Sequence, residues 1–278
     1  MNELRPQLFD IAYRMLGSAA EAEELVQDAF ERWAATEQAS VASPKAFLST
    51  MVTRLSLDRL KSASVQRTTY VGPWLPEPLH TRVDAADSKL EVSERISLAF
   101  LLVLETLSPA ERAVFLLHEV FDYDHDDAAK VLGRSPAACR KLLERARKAV
   151  AAHRPRFAPS REAHRSLVEA FIKAVDAGDA ARLTELLHEN VRSDSDGGGK
   201  ATAARRPLQG RDEVLRLWAN MTRMRPPDFA WSLVELNGWP AVVVTLGGKT
   251  FAAIQLETDG ERIHAIRSTH NPDKLARV

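Results

Sequence analysis

Prolines decide first what this chain cannot be. Val71-Gly72-Pro73-Trp74-Leu75-Pro76-Glu77-Pro78 places three prolines in six residues, and a second stretch, Arg154-Pro155-Arg156-Phe157-Ala158-Pro159-Ser160-Arg161, follows later. Each proline ring fixes φ, removes a backbone donor and clashes with the preceding helical turn, so neither stretch can be helix interior. The 278-residue chain is thereby cut into segments 1–64, 92–153 and 162–278, joined by linkers at 65–91 and 154–161. An unstructured linker has little use for Trp74 and Leu75 between prolines, so this pair is expected to dock on a folded surface.

The first two segments carry the 3.6-residue period of amphipathic helices. Leu8, Ile11, Ala12, Met15 and Leu16 form one stripe, which Gly17-Ser18 ends; Leu25, Val26, Ala29, Phe30 and Trp33 form a second. After a polar turn at 40–44, Phe47, Leu48, Met51, Leu55 and Leu60 predict a third helix over about 45–61. Helix resumes near Val92, and Ser108-Pro109-Ala110-Glu111 has the spacing of a capped start with proline at the first position. From Asp124 a short helix runs to Gly133, and Ser135-Pro136 opens a longer one to about Ala151. Ala128, Ala129, Val131 and Leu132 face Ala138, Leu142, Leu143 and Ala146 across the turn, which is helix-turn-helix architecture with the second helix in the major groove.

Charge points the same way. The net formal charge is zero, but residues 134–161 hold 9 basic side chains and one acidic, against 13 basic and 21 acidic over 1–133. A local basic block attracts a phosphate backbone whatever the chain average. Segment 1–64, with 7 basic and 9 acidic residues, is expected to bind DNA poorly by itself. The lone Cys139 excludes a disulfide framework and a cysteine-rich zinc site. No apolar run approaches the ~18 residues of a membrane span. Met-Asn-Glu-Leu-Arg at the start lacks the layout of a signal peptide, so a cytoplasmic chain without membrane association is expected.

Beyond the second linker the pattern changes. Helices are predicted at about 162–177, 179–189 and 211–222, followed by strands at 230–236, 241–246, 250–256 and 263–268 with turns at Asn237-Gly238, Gly247-Gly248 and Asp259-Gly260. This is an α+β domain with an antiparallel sheet.

Specific motifs now carry a family resemblance. Ala22-Glu23-Glu24-Leu25-Val26-Gln27-Asp28-Ala29-Phe30 resembles the core-polymerase-binding helix of region 2 in sigma-70 factors, and Ala46-Phe47-Leu48 with Leu57-Asp58-Arg59-Leu60 resembles the promoter-melting helix after it. Leu107-Ser108-Pro109-Ala110-Glu111-Arg112-Ala113-Val114 and Arg145-Ala146-Arg147 resemble the start and close of region 4. Only these two regions are present, as in the extracytoplasmic-function subset. Trp74-Leu75-Pro76-Glu77-Pro78, Asp196-Gly197-Gly198-Gly199-Lys200 and Asn271-Pro272-Asp273-Lys274-Leu275 resemble signatures of a subgroup with a fused C-terminal SnoaL-like domain.

The resemblance implies a multidomain fold: a helical region 2 bundle, a region 4 helix-turn-helix and an α+β cone with a curved antiparallel sheet. It implies that Glu24, Gln27 and Asp28 meet the β′ coiled coil of core RNA polymerase, whose β flap is a second contact. Ser43, Lys45, Arg54, Arg59 and Lys61 are the candidates for the minus-10 element, with the base-recognition loop at 40–45. Arg140, Lys141, Glu144, Arg145 and Arg147 are those for minus-35, where Arg chelates guanine and Glu accepts from cytosine. Trp74, Leu75, Pro76, the 196–200 motif and the 271–275 motif are the candidate regulatory contacts. The last of these is read as an extended tail able to reach another domain.

In the third domain, Asp194, Asp196, His264 and His270 are the polar candidates for acid–base work, without a nucleophile elbow or cofactor motif beside them. The Asp-rich turn 193–197 lacks the distal glutamate of a calcium loop, so neither a metal nor another cofactor is expected. Trp218, Trp231 and Trp239 are read chiefly as core, with the lining of a small-ligand pocket as the alternative. A regulatory domain in place of a separate anti-sigma partner is the expectation, not an enzyme. The competing class is a free-standing DNA-binding regulator or pocket enzyme, which has no use for the Glu24-Gln27-Asp28 face. Nothing in the sequence specifies a dimer.

Overall fold

The computed structural model describes residues 2–37, 41–67, 69–80, 97–153, 159–223 and 226–278. They form two compact units: Met1–Thr69 with Phe100–Arg154, and Tyr70–Ala99 with Pro155–Val278. Each is taken by itself.

The first unit is helical: Arg5–Leu16, Ala19–Ala34, Pro44–Arg67, the greater part of Leu98–Glu105, Pro109–Glu119, His125–Leu132 and Pro136–His153. Local chemistry sets most boundaries. Gly17 ends the first helix at φ 68°, and Ser18 starts the next by accepting from the Glu21 amide. Ser108 and Glu111 form a reciprocal capping box. Leu8, Ile11, Met15, Leu25, Val26, Leu48 and Val52 are buried together with their helical neighbours Leu104, Val114 and Leu117. The third helix starts at Pro44 and runs to Arg67, longer at both ends than its apolar stripe predicts. Val92 to Ile96, where helix was expected to resume, lie outside the described residues. In the helix-turn-helix Ala128, Ala129 and Val131 pack with Leu142, Leu143 and Ala146, and Cys139, fully buried, takes the inward position expected for Ala138.

The second unit is built on a six-stranded sheet in the order β2-β1-β6-β5-β4-β3, with β1 Leu187–Asp196, β2 Leu208–Gln209, β3 Phe229–Leu236, β4 Trp239–Leu246, β5 Lys249–Thr258 and β6 Ile263–Thr269. β1 runs parallel to β6 and the other pairs are antiparallel, so the curved sheet is mixed, not antiparallel as expected. The expected Asp-rich turn at 193–197 is the end of β1, and the helix expected to 189 stops at Leu186. β1 has little β-branched or aromatic character to announce it. Its pairing with β6, more than seventy residues on, decides its conformation.

Strand alternation gives the sheet two apolar faces. Val242, Val244, Ala252, Ile254 and Ile266 face helices Arg161–Ala177, Ala180–Leu186 and Arg211–Arg223, with Phe171 and Trp218 edge to face at 4.9 Å in that core. Ala241, Val243, Ala253 and Leu236 face the other way, toward Leu275. On this side lie residues 70–80, tied on where Leu79 accepts from the Asn237 amide. Asn271 to Leu275 is no extended tail: Asn271 caps a short helix, Pro272–Leu275, that buries Lys274 and Leu275. The Asn-Pro pair is a helix-start signal.

Candidate functional sites

The recognition helix Pro136–His153 starts where the Ser135 hydroxyl accepts from the Ala138 amide. Arg140 and Lys141 are exposed in its first two turns. Glu144 pairs with Lys148 one turn on, at 2.9 Å. Arg145 reaches Glu111 at 2.9 Å and Arg147 reaches Glu119 at 2.6 Å, so both engage the helix Pro109–Glu119. Of the five residues expected to contact minus-35 DNA, the structure leaves Arg140 and Lys141 facing solvent, pairs Glu144 within its own helix and ties Arg145 and Arg147 to the helix Pro109–Glu119.

Glu24, Gln27 and Asp28 lie on Ala19–Ala34. Glu24 and Gln27 are exposed, and Gln27 donates to Glu31 at 3.1 Å. Arg59, from the helix Pro44–Arg67, pairs with Glu21 at 3.3 Å and Glu24 at 3.1 Å, joining a residue expected to touch DNA to one expected to touch polymerase. Ser43 caps this helix by accepting from the Ala46 amide, which leaves Lys45 in its first turn instead of in the expected loop. Lys61 pairs with Asp58. Arg54 donates to the backbone carbonyls of Lys130 and Val131.

In the second unit three separate motifs meet at one carboxylate. Asp196 is fully buried at the end of β1. Its Oδ1 accepts from the Tyr70 hydroxyl at 2.5 Å; its Oδ2 accepts from the Leu75 amide at 2.8 Å and from Lys274 Nζ at 2.7 Å. Lys274 also donates to the Leu75 carbonyl and lies 4.2 Å from the centre of the Trp74 ring, a cation–π contact. The Asp196 carbonyl accepts from the His270 and Asn271 amides, and Asn271 Nδ2 donates to Tyr70 at 3.0 Å. Gly198 and Gly199 make a tight turn at φ 58° and 73° beside Asn271, Tyr70 and Val71, and Lys200 pairs with Asp273. Leu75 and Pro76 are buried, so Trp74-Leu75 docks on its own unit. Burial and the Asp196 carboxylate push the Tyr70 hydroxyl well above its ordinary pKa. Tyr70 was not picked out from the sequence; the only available signal was an aromatic beside the Gly72-Pro73 break.

The four polar candidates for acid–base work do not converge. Asp194 is held by Arg192 at 2.8 Å and by Arg267, which also binds Glu257 at 2.9 Å. His264 pairs with Asp259 at 2.8 Å and stacks on His188 at 4.4 Å. His270 is half-buried against Phe251, and desolvation depresses its pKa. Trp218 is core, Trp231 donates to Asp176 at 2.6 Å and Trp239 stacks on His164 at 5.0 Å. An open groove of about 640 Å³ is lined by Ser166, Leu167, Ala170, Arg182 and Arg262, and none of the four polar candidates lines it. Among the described residues no three His, Cys, Asp or Glu are placed to hold a metal ion, and no helix is long and apolar enough to cross a membrane.

His164 gives this unit a pH dependence. Its ring is buried, Nδ1 bonds the Pro240 carbonyl, Nε2 has no partner, and burial lowers its pKa from 6.5 to about 4. The unfolded chain therefore takes up the proton first as pH falls. The His164 contribution to stability is at its full value above about pH 6.5 and declines toward pH 4, opposite in sign to that of Glu257, whose carboxyl pKa is raised by burial to about 7. Urea unfolding followed by tryptophan fluorescence is expected to show the stability of the parent relative to His164→Phe falling as pH drops from 6.5 to 4.

A helix-turn-helix with a basic second helix, a helical bundle with an acidic face and a sheet domain gripping a proline-rich segment define a DNA-binding transcription factor of modular build. Comparison with known proteins makes this specific. Residues 1–65 match the Sigma-70 region 2 family, 97–150 match Sigma-70 region 4, and 168–272 match the SnoaL-like domain. The chain is 40% identical over 240 residues to the ECF RNA polymerase sigma factor SigJ of Mycobacterium tuberculosis, covering 84% of this chain and 77% of that protein. It is 30% identical to the probable ECF RNA polymerase sigma factor SigI of the same organism, covering 98% and 92%. The crystal structure of the M. tuberculosis extracytoplasmic function sigma factor SigJ superposes with a TM-score of 0.78 at 34% identity, over 99% of this chain and 96% of that one. The chain belongs to the ECF RNA polymerase sigma factors and carries a C-terminal SnoaL-like domain. It is an alternative sigma factor for promoter-specific transcription initiation, and such factors bind core RNA polymerase and promoter DNA.

Proposed function

We propose that residues 1–64 bind the β′ coiled coil through Glu24, Gln27 and Asp28 and the minus-10 element through Ser43, Lys45, Arg54, Arg59 and Lys61. Residues 92–153 contact the β flap and read minus-35, with Arg140 and Lys141 as the foremost readers and Glu144, Arg145 and Arg147 beside them. Residues 162–278 act as a regulatory domain in cis, without catalysis, on a protein that works in the cytoplasm. The observation that supports cis control is the buried Asp196 node. Through it Trp74, Leu75 and Tyr70, from the segment connecting the two sigma regions, are held by Lys274 and Asn271. The fold of residues 159–278 thereby sets the path of that connecting segment. The dispersal of Asp194, His264 and His270 among separate ion pairs and packing contacts supports the absence of catalysis.

Run-off transcription with purified core polymerase tests the reading. The full chain is expected to give a promoter-specific transcript, and Asp196→Asn to change its yield with binding to core retained. Absence of both transcript and core binding overturns the sigma assignment; an Asn variant identical to the parent overturns cis control. Arg140→Ala is expected to cost about 1–3 kcal/mol and to relax preference at one minus-35 position. Lys141→Ala, if it contacts phosphate, weakens all sequences alike. Competition among single-base promoter variants in the presence of core separates these outcomes.

A further inference from the structure

Arg54 does two incompatible things in the picture above. Its place on Pro44–Arg67 suits a phosphate contact in the minus-10 region, yet its guanidinium is engaged elsewhere in the same unit. Nε donates to the Val131 carbonyl and Nη2 to the Lys130 carbonyl, both at 2.9 Å. These carbonyls close the helix His125–Leu132, immediately before the Gly133 turn that leads into the recognition helix. The last carbonyls of a helix lack intrahelical donors and carry its negative dipole end, so a forked cation fits them. A reciprocal contact lies at another point of the same unit: Arg112, from Pro109–Glu119, is buried and donates to the Met15 carbonyl at the end of Arg5–Leu16 at 2.6 Å, while pairing with Glu105. Each half of the unit thus closes a helix end of the other.

Two promoter elements about 25 base pairs apart lie about 85 Å from one another at 3.4 Å per pair. A compact unit of this chain length is roughly 35–40 Å across. The Arg54 contact therefore cannot persist when both elements are occupied. We infer that Arg54 is a latch: in the free protein it clamps region 2 to the turn of the region 4 helix-turn-helix, and on promoter engagement the same guanidinium is handed to a DNA phosphate. The inference rests on the sigma reading above. It adds that the closed unit withholds a DNA contact until the two regions part.

Arg54→Lys separates the two roles, because an ammonium keeps a phosphate contact but does not chelate two carbonyls in the fork geometry. Full chains carrying spin labels at Ala35→Cys and Ala152→Cys, both exposed, report the distance between the regions, with the native Cys139 buried. The parent is expected to give one short distance. Arg54→Lys and Arg54→Ala are both expected to raise the longer-distance population about tenfold. In promoter binding with core polymerase, Arg54→Ala is expected to fall about threefold or more below Arg54→Lys, which retains a cation for the phosphate. Equal distance distributions in all three chains, or a parent that is already open, overturn the latch. Equal promoter binding by the Ala and Lys variants overturns the handover. A parent that gives no promoter complex with core, while the distances shift as expected, removes the sigma reading and leaves the clamp standing.

Discussion

Replacing Asp196 by alanine is expected to lower the stability of the sheet-containing unit by about 3–5 kcal/mol, the range for removing one partner of a buried ion pair. The cost comes from the groups left behind. Lys274, with its side chain 11% exposed, loses its carboxylate partner, while the Tyr70 hydroxyl and the Leu75 amide lose their acceptor. Urea unfolding followed by tryptophan fluorescence measures it, since Trp74, Trp218, Trp231 and Trp239 all lie in this unit. Asp196→Leu combined with Lys274→Met is expected to recover a substantial part of the loss, because a volume-matched apolar pair leaves no buried charge. It does not recover all, since the Tyr70 hydroxyl proton and the Leu75 amide lose the Asp196 carboxylate as acceptor. A single substitution costing under about 1 kcal/mol would show that the node contributes no more than a surface pair.

The functional consequence follows from connectivity. Tyr70 to Pro78 is the chain that leaves region 2 on its way to region 4, and it is held to β1 and to the last short helix by hydrogen bonds to Asp196, Asn271 and Lys274. Weakening the node frees that segment without touching Arg140, Lys141 or Glu24. Under the proposed cis control, a change in transcription by Asp196 variants is a readout of tethering, separable from the proposed promoter and core contacts.

What the sequence disclosed and what it hid divide along physical lines. The helix-turn-helix was legible because its signals are local: Asp124 as cap, Gly133 in the left-handed region, Ser135-Pro136 at the next start. The docking of Trp74-Leu75 was legible from composition alone. β1 was not, since His188 to Asp196 is polar but for Val191 and is made a strand by a partner distant in sequence. The partners of Arg54, Arg59 and Asp196 were hidden for the same reason, each lying tens of residues or more away. The final helix was missed despite a local signal. Asn271-Pro272 has the chemistry of a cap and first position, and its four-residue length gives no periodicity to confirm it. Among the candidate sites, the engagement of side chains within the fold was not readable. Arg145 and Arg147 look like DNA ligands in sequence, yet sit on Glu111 and Glu119 in the fold.

Two glycines with nearly the same backbone conformation should separate by more than their φ values suggest. Gly133 has φ 61° and open space where a Cβ would stand; Gly198 has φ 58°, and its Cβ would fall 2.3 Å from Asn271 Nδ2 and 3.0 Å from the Tyr70 hydroxyl. Gly133→Ala is expected to cost only the left-handed penalty, about 1–2 kcal/mol. Gly198→Ala carries that penalty and must also displace Asn271. Asn271 cannot yield cheaply, because its Oδ1 caps the Pro272–Leu275 helix and its Nδ2 holds Tyr70 against Asp196. Overpacking adds about 1–3 kcal/mol, for a total of roughly 2–5 kcal/mol. The loss should fall on the same unit that Asp196→Ala weakens, and the two substitutions should combine to less than their sum because they disrupt one network. Equal costs for Gly133→Ala and Gly198→Ala would mean that the second turn opens freely. The Gly197-Gly198-Gly199 run would then serve flexibility, and the close approach of Asn271 to Asp196 and Tyr70 would not explain why glycine stands there.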